Sequence, residues 1–389
     1  MAKGAYIGVN NVAHKIKKGY IGIDGVARRI KKAYIGVGGV ARPCWSGGEL
    51  TYYGQITALG NAVSYMGSAS VGDYALFAGG NAVSLGTINV CTTYNKSLTK
   101  STASSLSVRL SHMGSASIGN YALFACGQYL DGDNARYSNA VHAYDTTLTL
   151  SFPATCTYIC EIGGVSNTKY AIFAGGSSRN TSYYASVYAY NASLVQTIPT
   201  SLLSTSMSNP AGASVGEYAI FAGGKTASTR GYSITVDAYN SSMTKTTLDN
   251  LPSARNGMCG ASTGNYAILA GGVQGTRSPY TYLSDAFVYN TSLTRSTAAS
   301  LSLGRSNSSS VSMKDYAIFA GGLYQNGKSY TSAANVDVYD KSLVKVAMQN
   351  LTVARRSGIG SASVGDYALF AGGIATNIGI SDVEAFTII

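Results

Sequence analysis

The sequence predicts an all-β fold assembled from one repeated sheet, and three observations carry that expectation. First, nearly the same octapeptide recurs seven times: DYALFAGG at residues 73–80 returns as NYALFACG, KYAIFAGG, EYAIFAGG, NYAILAGG, DYAIFAGG and DYALFAGG. Second, its tyrosines, Tyr74, Tyr121, Tyr170, Tyr218, Tyr266, Tyr316 and Tyr367, stand 47 to 51 residues apart. Third, 46 glycines, 30 tyrosines, 6 prolines and only 12% charged residues in a chain of 389 suit strands joined by tight turns, and do not suit a helical enzyme. A period near fifty with strand-like content points to a seven-bladed β-propeller with four-stranded blades.

Each unit supplies four strands in order. A small-residue stretch such as MGSASVGD reads as the first, placed where blades converge on a crowded channel wall. The apolar run YALFA is the second, and Gly-Gly closes it because glycine accepts positive φ and lets neighbouring backbone approach. After a variable segment, TTYNKSL, HAYDTTL, YAYNASL, DAYNSSM, FVYNTSL and VDVYDKSL read as third strands ending in Asn or Asp turns. A polar fourth strand, such as TRSTAASLS, leads into the next unit. The seventh unit stops at DVEAFTII, its third strand, while GELTYYGQITALG ahead of the first unit resembles the fourth strands elsewhere. The expectation is a propeller domain over 44–389, with Leu50–Leu59 completing the last blade and removing an open edge.

A shorter repeat occupies residues 1–43. Tyr6, Tyr20 and Tyr34 stand 14 apart, and Asn10-Asn11, Asp24-Gly25 and Gly38-Gly39 between short β-branched runs are two-residue hairpin signals. A small β-meander of 14-residue repeats is predicted, with Ile7, Val9, Val12 and Ile16 on one face. Residues 1–42 carry nine basic side chains against Asp24 alone, whereas the remainder holds 19 basic and 16 acidic ones. Basicity is therefore local. The Lys-Lys pairs suit a solvated rim, a docking surface for an acidic partner, or a nucleic-acid contact, although no nucleic-acid-binding motif accompanies them. Three such units are too small for a core of their own, so their burial is expected from pairing with copies of themselves, a homotrimer first, or with another protein. Tyr6, Lys17, Lys18, Tyr20, Arg28, Lys31, Lys32 and Tyr34 are the candidate assembly residues.

The apolar strand closed by Gly-Gly, the later tyrosine followed by Asn or Asp, and the period near fifty resemble the kelch repeat over roughly residues 46–389. One departure stands out. Kelch units commonly carry a Trp a few residues after that tyrosine, and here the place holds Leu98, Leu148, Leu194, Met243, Leu293 and Leu343, with Trp45 outside the repeats. The front repeats together with the YALFAGG units resemble kelch-like proteins encoded among structural genes of tailed phages and prophages of Gram-positive gut bacteria. That resemblance implies a virion or tail-associated protein whose front repeats meet other virion structural proteins. It implies no catalytic residues.

The chemistry-bearing residues point the same way. Cys44, Cys91, Cys126, Cys156, Cys160 and Cys259 lack ligand spacing and read as buried free thiols. His14, His112 and His142 are scattered, no SxDxGxxW box occurs, and Asp73, Glu217, Asp315 and Asp366 recur at one turn position. Paired carboxylates for glycoside hydrolysis are not evident. No catalysis, metal or cofactor is expected. MAKGAYIGVN lacks a signal-peptide core and no stretch is long and apolar enough to span a bilayer, so synthesis in the host cytoplasm without membrane insertion is expected.

Individuality lies in the segments between the second and third strands. They pair basic residues with tyrosines, and the candidate ligand residues are Tyr129, Arg136, Tyr137, Arg179, Tyr183, Tyr184, Arg230, Tyr232, Arg277, Tyr280, Tyr282, Tyr324, Lys328 and Tyr330. Tyr and Arg are common hot-spot types, and Tyr offers contact area at low entropy cost. Ordinary polar loops with scattered aromatics remain the alternative. The functional expectation is a non-enzymatic virion protein that displays its propeller to a host-surface glycan or protein. A purely structural decoration protein and an intracellular kelch-type adaptor are the rivals.

Overall fold

A computed structural model gives the fold. It describes residues 6–9, 12–15, 19–23, 26–30, 33–37 and 40–45 as strand backbone, and residues 49–388 except 132–133, 179–181, 228–230, 276–279 and 328. Every regular element among the described residues is a β-strand.

Seven small antiparallel sheets, here called units I to VII, repeat one order: first strand, second, third, fourth. Unit I comprises Gly67–Val71, Tyr74–Ala78, Cys91–Asn95 and Lys100–Ala103. The first strands of units II to VI are Gly114–Ile118, Gly163–Ser166, Ala211–Val215, Asn256–Thr263 and Ser309–Met313. Unit VII comprises Gly360–Val364, Tyr367–Ala371, Val383–Ile388 and, from far earlier in the chain, Leu50–Ile56. That last strand pairs antiparallel with Val383–Ile388, with a bulge between Ala385 and Phe386.

Sequence explains each strand. The second strand is buried on both faces, because Ala75 and Phe77 pack toward unit VII while Leu76 and Ala78 pack toward unit II. The third strands of units I to VI carry a buried tyrosine near their end, where unit VII has Phe386, and Tyr94, Tyr144, Tyr190, Tyr239 and Tyr339 donate their hydroxyls to backbone carbonyls of the segment ahead at 2.6–3.0 Å. The turn after it is built by one side chain: Asn95 Oδ1 accepts from the Ser97 and Thr99 amides, and its carbonyl accepts from Leu98. Leu98 consequently lies in the left-handed region at φ 59°, as do Leu148, Leu194, Met243, Leu293 and Leu343. Each left-handed residue costs roughly 1–2 kcal/mol, offset by the three bonds the turn makes.

The Gly-Gly pair couples consecutive units. Gly79 sits at φ 63°, and a Cβ there would lie 2.2 Å from the Leu110 carbonyl, which accepts from the Gly80 amide at 2.7 Å. In unit II Cys126 occupies the first place of the pair, also left-handed. Apolar packing among the described residues divides into seven clusters, each between two adjacent sheets, including one that joins unit VII to unit I through Leu369, Val383, Phe77 and Tyr94.

The first strands stand side by side and are tied by serines. Ser117 Oγ accepts from the Ser70 amide, Ser166 Oγ accepts from the Ser117 amide, and Ser70 Oγ accepts from the Ser363 amide, all at 3.1–3.2 Å. Where a unit has Gly at the companion position, backbones close up: a Cβ on Gly260 would lie 2.1 Å from the Gly212 carbonyl.

Among the described residues the front repeats form three two-stranded hairpins. Tyr6–Val9 pairs with Val12–Lys15, Gly19–Ile23 with Val26–Ile30, and Ala33–Val37 with Val40–Trp45, with no pairing between hairpins among the described residues. Register sets Val9 opposite Val12, Ile23 opposite Val26 and Val37 opposite Val40, so two residues connect each pair. Those connecting residues, Asn10-Asn11, Asp24-Gly25 and Gly38-Gly39, lie outside the described residues, as does Ile16. A repeat that turns back after four or five residues satisfies its hydrogen bonds locally, because closing a two-residue loop costs less chain entropy than a longer connection.

Candidate binding face

Antiparallel order puts the short first-to-second and third-to-fourth turns at one end of every sheet. The second-to-third and fourth-to-first connections gather at the other end. The chain enters unit VII at the short-turn end, where Leu50 pairs with Ile388, whose amide donates to the Asp366 carbonyl of the first-to-second turn. Where it enters the sheets at Leu50, the chain is therefore at the end opposite the variable connections.

At the variable end a cavity of about 410 Å³ is lined by one equivalent residue from each fourth-to-first connection: Tyr65, His112, Glu161, Asn209, Gly257, Asn307 and Ser357. All seven have φ between 45° and 66°. A belt of backbone bonds fixes them, with His112 N donating to Tyr65 O (3.0 Å), Glu161 N to His112 O (3.0 Å), Asn209 N to Glu161 O (2.7 Å), and Tyr65 N to Gly358 O (2.9 Å). The backbone is constant while the seven side chains span an aromatic, an imidazole, a carboxylate, two amides, a hydroxyl and none.

The side chains are held in place. The Tyr65 and His112 rings stack with centroids 4.1 Å apart. Burial holds the His112 pKa below its ordinary value, partly countered by the Glu161 carboxylate. Glu161 Oε2 accepts from Ser208 Oγ (2.9 Å) and Ser177 Oγ (3.2 Å). Lys225 and Asn256 also line the cavity, and the buried Asn256 Oδ1 has no partner. The lining can donate to and accept from a polar ligand. Among the described residues no three His, Cys, Asp or Glu side chains are arranged to hold a metal.

The loop residues singled out by sequence divide into two groups. Tyr232, Tyr280, Tyr282 and Tyr330 come together: the Tyr330 ring centroid lies 6.1 Å from Tyr280 and 6.4 Å from Tyr282, and Tyr232 is close enough to bear on the Tyr282 hydroxyl. Tyr232 also pairs through its backbone with Lys225, which links the cluster to the cavity. Burial, with the neighbouring tyrosines, pushes the Tyr282 hydroxyl up to about 12. The others are dispersed. Tyr129 packs on the core between units I and II, Arg136 pairs with Asp131 of its own hairpin (3.3 Å), and Tyr184 donates or accepts at Ser178 Oγ (2.9 Å). Tyr137 and Tyr183 sit opposite Gln128 and Ser177 in short hairpins, and Tyr324 opposite Thr331. Arg179, Arg230, Arg277 and Lys328 lie outside the described residues, as do Lys17, Lys18, Lys31 and Lys32, while Tyr6, Tyr20, Arg28 and Tyr34 are placed only as strand backbone.

Sequence reasoning missed the cavity ring. Its signal was one varying position two or three residues before the small-residue first strands, as in SYMGSAS, SHMGSAS and RSGIGSAS. It also missed three arginines beneath this face, 50 residues apart. Arg255, Arg305 and Arg355 are fully buried and meet Asp285 (3.1 Å), Asp337 (2.7 Å) and Glu384 (2.7 Å).

No family model and no curated protein matches the chain. Among solved structures it is similar to YjhT, with a TM-score of 0.58 and 12% identity over 75% of this chain and 98% of that one. At that identity the likeness is one of fold: an all-β, propeller-like set of small antiparallel sheets.

Proposed function

We propose that the seven units are the blades of a closed, kelch-like β-propeller that acts, without catalysis, as the binding head of a tailed-phage virion protein, held through residues 1–43 and presenting its variable face to a host-surface glycan or protein. Support for closure comes from the amides of Ser361 and Ser363 donating to Ser68 and Ser70 hydroxyls, and from Leu50–Ile56 serving as fourth strand of unit VII. Support for a virion role comes from the resemblance of the front repeats and YALFAGG units to phage structural proteins. The observation that carries the binding reading is the cavity ring, where one rigid backbone position offers a different side chain in nearly every unit. A scaffold need only repeat; a recognition surface must differ.

The test pairs two measurements. Mass spectrometry of purified particles is expected to find the chain. Fluorescently labelled full-length protein is expected to bind host cells or a glycan array, and Glu161→Gln with Asn307→Ala is expected to weaken binding at least tenfold without changing the melting temperature. A chain absent from particles, or one that binds no cell and no glycan, would overturn the proposal.

A further inference from the structure

We infer that the arc of this face built by units IV to VI binds a linear polymer carrying a regularly repeated anionic group. The inference rests on the binding reading and adds the ligand's chemistry. Its basis is the tyrosine cluster and the charges around it. Tyr232 comes from unit IV, Tyr280 and Tyr282 from unit V, and Tyr330 from unit VI, so the aromatic surface spans three units. Tyr330 is 42% exposed. Among the described residues, the cation Arg356 bears on Tyr282 and the cation Lys225 on Tyr232.

The carboxylate inventory is one-sided. The second-to-third connections of units IV to VI, residues 225–235, 273–285 and 323–335, contain Asp285 as their single acid, against Lys225, Arg230, Arg277 and Lys328 by sequence. Asp285 is already committed to buried Arg255 at 3.1 Å. Unit II differs, for its Arg136 is neutralised by Asp131 in the same hairpin. Phenolic hydroxyls carry their proton at neutral pH, so the cluster adds hydrogen-bond donors to the cations. Donors and cations with no uncommitted carboxylate in these connections suit carboxylate, sulfate or phosphate oxygens, and tyrosine rings supply flat contact for the units between them. Exposed charges are individually weak and screened within about 10 Å at ordinary salt, so a single small anion gains little. A polymer engages several at once.

The experiment uses the full-length chain and immobilised dextran, dextran sulfate, polygalacturonate and inorganic polyphosphate, read by biolayer interferometry at two salt concentrations. At least one anionic polymer is expected to bind, more weakly at high salt, and neutral dextran is not; the best of the three identifies the anion. Two face variants, Lys225→Gln with Arg356→Gln and Tyr280→Ala with Tyr330→Ala, are expected to lose at least tenfold in affinity. Because the front repeats are also basic, a third variant neutralises Lys3, Lys15, Arg29 and Arg42 to Gln, outside the candidate assembly residues, and is expected to bind within about twofold of the parent. Circular dichroism and melting confirm that all three fold. Binding lost only in the front variant overturns the inference, as does equal binding to dextran. If no anionic polymer binds while host cells still do, this inference fails and the binding reading stands; if neither binds, both fail.

Discussion

Units I to IV and units V to VII fill the same buried position with opposite chemistry. The residue whose carbonyl accepts the second Gly amide of the preceding unit is Val63, Leu110, Ile159 or Met207 ahead of units I to IV, and Arg255, Arg305 or Arg355 ahead of units V to VII. All seven side chains are buried. Backbone geometry is shared, so the side chain is set by what it meets. Opposite the arginines stand carboxylates, Asp337 and Glu384 on the third strands and Asp285 just before one, with the Arg255 guanidinium also 5.0 Å over the Phe287 ring. At the same third-strand position units I to III carry Thr92, His142 and Tyr188. Unit IV is intermediate: Asp237 is present without an arginine and accepts instead from Ser204 and Thr247. The lesson is that a repeat fixes the backbone, while each buried charge demands its own partner.

The largest expected effect breaks one partnership. Glu384→Ala leaves the buried Arg355 guanidinium hydrogen-bonded to backbone carbonyls, with the Asp382 carboxylate bearing on it at longer range, and strips an acceptor from Tyr52 and the Thr352 amide. A loss of about 3–5 kcal/mol is expected in urea unfolding, and a loss below about 1 kcal/mol would mean that water reaches the guanidinium. Nearly as large is Leu110→Arg, which places a guanidinium in unit II where His142 offers no negative charge; several kcal/mol or failure to fold is expected.

Acid separates the two regions at different pH. Burial lowers the His142 pKa to about 4, while its Nδ1 has no partner and its Nε2 accepts from the Ser107 amide and hydroxyl. The unfolded imidazole titrates near 6.5, so this contribution is complete above that pH and is lost as pH falls toward 4, by about 3 kcal/mol at most. Asp337 is buried, which raises its pKa, but Arg305 and Lys345 overcome this and hold it below the ordinary carboxylate range. Its contribution is present above the unfolded carboxylate value and is lost only as pH falls through the lower folded one. Urea midpoints measured from pH 7 to pH 3 should show a first decline that His142→Asn reduces, His112 supplying the rest, and a second that persists. An unchanged first decline in that variant would remove His142 from the account. The smallest effect is expected for Met207→Arg, because Asp237 already waits in unit IV; its cost should fall below half that of Leu110→Arg.

Strand content and turn chemistry were legible because they depend on local residue type: YALFA is apolar on both faces and Asn95 or Asp145 closes its own turn. Function-bearing features were less so. Tyr232, Tyr280 and Tyr330 are about fifty residues apart, and only the stacking of units brings them together. The ring from Tyr65 to Ser357 shares a left-handed backbone yet its side chains run from Gly to Tyr and Glu, so no single residue type marks it. Arg255, Arg305 and Arg355 sit in polar connections that read as exposed loop, and burial depends on acids 30 residues further on. The front repeats announced their hairpins, whereas the absence of pairing between described hairpins depends on loop entropy that periodicity does not report.

Because apolar burial is split among seven thin layers between sheets, the molecule has no single centre whose loss melts everything at once. Its least costly excursion separates two neighbouring sheets while the other six layers stay shut. Amide hydrogen exchange should then occur in cooperative blocks one sheet wide, and the layer flanked by Leu50–Ile56 should open first, since the strand beside it is joined to the rest of its sheet by hydrogen bonds and packing without an adjoining turn.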